Sequence, residues 1–161
     1  MWYNSYKNDR MIYRNMNKKI FYKKIMRKIK KQPFIFKRDM ENISKYGNVA
    51  NAYNIQGCRQ GIYFLYNSAK KIIYIGKVGT GESTSLYHRM FGHGSGAHKS
   101  EGWYEEVEYG KYIVFEKLND FELSIVERLC IKYNPNKDNY NDKYFNDIVI
   151  GEIHDKIKRD L

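Results

Sequence analysis

Cysteine and proline are both scarce in this chain of 161 residues, with two of each. Cys58 and Cys130 are too few for a disulfide framework and too far apart for a zinc ribbon, so a reducing, intracellular setting is the default expectation. No run of about 18 apolar residues occurs, which excludes a transmembrane helix. The first residues, MWYNSYKNDR, lack the apolar stretch of a secretory signal. Hydrophobic residues are nevertheless 42% of the chain, enough for a packed core. The length suits one domain with an extension.

Acidic residues are scarce at one end only. Residues 1–60 hold 15 Lys and Arg against 3 Asp and Glu, whereas residues 61–161 hold 14 against 15. The net charge of +11 therefore sits on a basic arm, residues 1–57, joined to a neutral body. A cationic block attracts polyanions, of which nucleic acid is the commonest. In the arm, FYKKIMRKIKKQ (21–32) has helical periodicity. Phe21, Ile25 and Ile29 recur every fourth residue, with Lys23, Lys24, Arg27, Lys28, Lys30 and Lys31 around them. Such a helix could lie on phosphates, on an anionic membrane or against the body. Pro33 ends it. A weaker helical pattern covers 39–46.

The body, 58–149, begins with two runs rich in β-branched and aromatic residues, GIYFLY (61–66) and KIIYIG (71–76). Asn67, Ser68, Ala69 and Lys70 separate them, as in a hairpin with a four-residue loop. If Tyr66 faces Lys71, Tyr63 lies directly opposite Tyr74, Ile62 opposite Ile75, and Gly61 is paired with Gly76. Ser83, Thr84 or Ser85 could cap a helix running to about Phe91. KYIVFEKL (111–118) reads as a third strand. Asn119 and Glu122 have capping-box spacing before a helix whose stripe is Phe121, Ile125 and Leu129. Residues 97–110 carry no clear pattern, and 150–161 read as a short terminal helix. The order gives an α+β fold, a small, mostly antiparallel three-stranded sheet flanked by helices.

The tripeptides Gly61-Ile62-Tyr63 and Tyr74-Ile75-Gly76, ten residues apart, resemble the signature of the GIY-YIG nuclease family. Further residues follow in the family's order: Lys77 after the second tripeptide, Arg89 and His93 on the next helix, Glu127 on the long helix, then Pro135 with Tyr140-Asn141. Asn139 is an alternative to Asn141 for the last position. The resemblance spans about residues 60–142. It implies hydrolysis of a DNA phosphodiester by water with one divalent metal, Mg²⁺ or Mn²⁺.

On that resemblance Tyr63 accepts a proton from the attacking water, paired with Tyr74. A phenol ordinarily titrates near pH 10, so a cation must favour its ionised form; Lys77, which leaves the hairpin beside Tyr74, is the candidate, and metal-bound water is another. Arg89 and His93 would serve the phosphate, Glu127 would anchor the metal, and Asn141 would orient the site. The alternative function is a non-catalytic nucleic-acid-binding protein with the same fold. His88, His93 and His98 recur every fifth residue, which is not one helical face, so zinc is not expected. GKVGTGEST lacks the GK[ST] ending of a phosphate-binding loop.

Overall fold

A computed structural model describes residues 17–42, 60–79, 89, 102–135 and 150–161. His93, Asn139, Asn141 and the glycine-rich segment around them lie outside these residues, as do His88 and His98.

Helix α1 spans Lys18–Lys31. Asn17 caps it by accepting from the Lys19 backbone N–H at 2.8 Å, and the chain turns out of it just before Pro33. Its expected stripe of Phe21, Ile25 and Ile29 is fully buried. Of the three surfaces such a helix could occupy, it lies against the body, with its lysines turned outward. Strand β1 (Ile35–Phe36) and helix α2 (Lys37–Asn42) follow. Strands β2 (Gly61–Tyr66), β3 (Ile72–Val78) and β4 (Tyr109–Val114) build the rest of the sheet. A 3₁₀ turn, Trp103–Glu106, precedes β4. Helix α3 (Asp120–Tyr133) opens with the expected capping box, and α4 (Ile150–Ile157) lies near the end of the chain.

The sheet is antiparallel, in the order β1-β4-β2-β3, and so has four strands rather than three. The additional strand is two residues long, too short to have a period. Among the described residues no helix is long and apolar enough to cross a membrane.

The hairpin register differs from expectation. Tyr63 faces Gly76, Phe64 faces Ile75, Leu65 faces Tyr74, and Gly61 faces Val78. The connection is one residue longer than the four-residue loop. The Asn67 N–H donates to the Lys71 carbonyl at 3.0 Å, and the Asn67 side chain accepts from the Lys71 N–H at 3.0 Å. A bulge beside Leu65 and Tyr66 adds one more residue to β3. Two single-residue offsets make an even shift, so the strand beyond the bulge, Tyr74 to Gly76, keeps its expected faces, whereas Ile72, expected opposite Leu65, instead pairs with Tyr66 on the core face.

One face of the sheet presents Ile62, Phe64, Tyr66, Ile75 and Ile113 to α1, α3 and α4, whose Phe21, Ile25, Leu123, Val126, Leu129 and Ile153 complete the core. The opposite face carries Tyr63, Leu65 and Gly76. In α3 the buried positions are Leu123, Ile125, Val126, Glu127, Leu129 and Cys130. Phe121 is 64% exposed and so does not join the stripe assigned to it, because it sits in the first turn on the side away from the sheet.

Burial makes this core sensitive to alkali. Tyr66 is raised well above the ordinary phenol value by loss of solvation and by Tyr22, Tyr63 likewise by burial and Tyr74, and half-buried Tyr22 is pushed up to about 12 by burial. Below pH 10 these phenols are neutral in both folded and unfolded chains. Above it the unfolded phenols ionise and the folded ones do not. Tyr63 and Tyr66 should therefore each cost about 1.4 kcal/mol of stability per pH unit, until their folded-state values are passed. Urea midpoints measured from pH 8 to 11 should be flat and then fall, and phenolate absorbance from the buried tyrosines should appear only with unfolding. Constant midpoints through pH 11 would contradict this.

Candidate active site

Tyr63 occupies the middle of the central strand β2, flanked by Gly76 on β3 and Tyr112 on β4. Its side chain is only 3% exposed. The phenol lies across the bare Cα of Gly76, where an added Cβ would overlap the Tyr63 ring tip and hydroxyl. Gly76 is thus a seat for the Tyr63 ring. Gly61 has a different duty. A Cβ there would run into the Ile113 carbonyl of β4, so glycine lets the two strands close.

Tyr74 is diagonal to Tyr63 across the hairpin rather than opposite it. The ring centroids are 6.0 Å apart and the planes 21° from parallel. Diagonal neighbours are within reach of aromatic side chains. Trp103 covers the far side of Tyr74 at 4.6 Å and 14°, so three rings form one stack. Trp103 lies in a stretch with no readable pattern. Its one sequence signal is its size, since a Trp seldom stays exposed in a small domain.

Three of the expected residues act on Tyr63. The Tyr63 proton is held first by burial, then by the electrostatic influence of Tyr74, by a hydrogen bond with that phenol, and by the Glu127 carboxylate. Arg89 acts the other way and draws the proton off. Arg89 is helical and exposed. Glu127 is 2% exposed, on a helix packed against β3 and β2. Gln60 fixes the relation between β2 and the start of α3: its side-chain amide donates to the carbonyls of Phe115 (2.8 Å), Glu116 (3.1 Å) and Leu118.

Lys77 is elsewhere. It faces Ile62, on the helical side of the sheet, and its ammonium lies 3.0 Å from Asp120 at the start of α3. The cation that influences Tyr63 is Arg89, not the sequence neighbour Lys77. The pair with Asp120 is partly in water, with side chains 19% and 57% exposed. Such pairs contribute little. Lys77→Met should change the unfolding free energy by about 1 kcal/mol or less in urea titrations.

A single buried carboxylate suits Mg²⁺, a hard cation that keeps several waters and takes further oxygens from a bound phosphate. Glu127 is such a buried carboxylate, and its charge reaches Tyr63. Among the described residues no group of three or more His, Cys, Asp and Glu gathers in one place, so they hold no self-sufficient metal cage. Of the six basic residues expected to meet DNA, Lys23, Arg27, Lys30 and Lys31 are exposed on α1 and Lys28 is partly so. Lys24 is 2.9 Å from His154 Nε2 on α4.

No protein-family model matches this chain, and neither a curated protein nor a solved structure matches it.

Proposed function

We propose that this chain is a divalent-metal-dependent DNA endonuclease of the GIY-YIG type, and that the outward lysines of α1 add affinity for the DNA backbone. The observation that carries the reading is a buried phenol, seated on a glycine, under the opposed influence of a guanidinium and a carboxylate. A structural tyrosine pair needs neither.

In the hydrolysis, a water oxygen bonds to phosphorus in line with the departing ester oxygen. That ester bond breaks, and the water proton passes to Tyr63. The departing oxygen takes a proton from solvent, and Tyr63 enters the step as its phenolate, its own proton having gone to solvent. Glu127 raises its affinity for that proton, so compensating the carboxylate charge eases the loss, and Arg89 works in the same direction. Tyr74 holds the Tyr63 hydroxyl in place, and Trp103 holds Tyr74. Arg89 pairs with a nonbridging oxygen, where negative charge grows in the transition state. Glu127 would hold the divalent cation, which would supply Lewis-acid charge at the phosphate.

Purified protein should nick supercoiled plasmid with Mg²⁺ or Mn²⁺ and stop on chelation. Its DNA affinity should fall with salt, with a slope in log K against log salt of about −0.9 per phosphate contacted. Plasmid left intact under all these conditions, with DNA binding retained, would make the chain a binding module instead.

A further inference from the structure

On the helical side of the sheet, the face away from Tyr63, a cavity of about 850 Å³ opens between α1, the β2–β3 turn and the C-terminal end of α3. Its volume is within the range of sites that take small molecules. Six cations border it: Lys23, Arg27 and Lys30 from α1, Lys70 and Lys71 from the turn, and Lys111 from β4. No carboxylate is among the described residues that line it. Tyr22, Phe34, Tyr66 and Tyr133 supply aromatic wall, with the Tyr22 and Tyr133 rings 5.8 Å apart.

The cations are held close together. The Lys111 ammonium lies 4.0 Å from the centre of the Phe34 ring, and Lys70 reaches the same ring at 5.4 Å. Lys111 is 6% exposed and donates to the Ile29 and Lys30 carbonyls at 3.3 and 3.2 Å, so it cannot swing away without losing those bonds. Burial and the neighbouring Lys70 charge both depress its affinity for a proton. Lys70 has φ 58°, the left-handed region where glycine or asparagine costs less. A bound anion would relieve the crowding of like charges.

We infer that this cavity binds a nucleotide, a flat heterocycle carrying phosphate, either free or as one unit of a single strand. The ammonium groups of Lys70, Lys71 and Lys111 receive the phosphate, and the Tyr22 and Tyr133 walls contact the ring. An acidic peptide would satisfy the charges but leave the aromatic walls unused. The site shares no residue with Tyr63, Arg89 or Glu127, and its test does not depend on DNA cleavage.

Calorimetric titration of the full chain in metal-free buffer separates the possibilities. Thymidine 5′-monophosphate should bind at one site, and deoxyribose 5-phosphate about tenfold more weakly, since base–aromatic contact contributes that order. Tyr133→Leu should remove most of that difference. Lys70→Gly should weaken the nucleotide about fivefold or more while leaving the melting temperature unchanged or higher, because glycine relieves the left-handed conformation. Competition between thymidine monophosphate and a short oligothymidylate supports both sources of the ligand. Binding of the mononucleotide alone supports a free nucleotide. Binding of the strand alone, weakened by Tyr133→Leu, supports a strand. Equal affinity for thymidine monophosphate and deoxyribose 5-phosphate would reduce the cavity to a cationic patch and overturn the inference. So would unchanged nucleotide and strand binding in both variants.

Discussion

Tyr63→Phe is expected to slow plasmid nicking by about 10²–10⁴-fold, the usual range for removing a group that moves a proton in the transition state. The fold should survive. Phe keeps the ring on Gly76 and beside Tyr74, and only a hydroxyl and its hydrogen bond are lost, about 1 kcal/mol. The pH dependence is the sharper readout. Tyr63 is held well above the ordinary phenol value by burial first and Tyr74 next, so only a small fraction is ionised near neutrality. The wild-type rate should therefore climb with pH, while the residual Tyr63→Phe rate stays flat. Glu127→Gln, nearly equal in shape, should also abolish nicking with Mg²⁺ and spare DNA binding, which rests on the exposed cations of α1. Robust cleavage by both variants would refute the site. Two parallel pH profiles would remove Tyr63 as the proton acceptor while leaving its structural role.

The parts of the fold that were legible in the sequence are those governed by short-range rules. The fourfold spacing of Phe21, Ile25 and Ile29 stated which side of α1 is buried, and Asn119 with Glu122 stated where α3 begins. The hairpin register was not legible. It depends on a bulge and a five-residue connection, neither of which leaves a mark in the composition of Asn67 through Ile73. From Tyr74 to Gly76 the faces agree all the same, because the two offsets cancel in parity there, while Ile72, which lies before the bulge, takes the opposite face. Ile35–Phe36 escaped notice because two residues carry no period, and Phe121 misled because an apolar residue in the first turn of a helix need not point at the core. Within the candidate site, the nearness of Tyr63 to Gly76 follows from the hairpin. The influence of Arg89 and Glu127 on Tyr63 is tertiary. No spacing rule reaches across 26 or 64 residues, and only the resemblance to a known motif suggested it. Lys77 shows the opposite error, in which adjacency in sequence stood for adjacency in space while the strand turned that side chain to the other face.

Alanine at the two motif glycines should separate scaffold from site. At Gly61 the new methyl would meet the Ile113 carbonyl, which is backbone in the neighbouring strand. Nothing there can rotate away, so β2 and β4 must part. Gly61→Ala should cost about 3 kcal/mol, the upper part of the usual range for overpacking, or roughly 6–12 °C in melting temperature. At Gly76 the methyl would meet the end of the Tyr63 side chain, which can swing out. Gly76→Ala should therefore cost less stability, about 1–2 kcal/mol, yet reduce nicking nearly as much as Tyr63→Phe, because the hydroxyl no longer lies where Tyr74, Arg89 and Glu127 act on it. A double-mutant cycle isolates the contact. In a Tyr63→Leu background, which lacks the ring tip, adding Gly76→Ala should cost at least about 1 kcal/mol less than in the wild type. Additive costs would mean that Gly76 serves the strand and not the phenol. Coupling confined to Gly76, with Gly61→Ala indifferent to what stands at position 63, would show that the two glycines answer to different physics: one admits a neighbouring backbone, the other carries the ring on which the proposed chemistry depends.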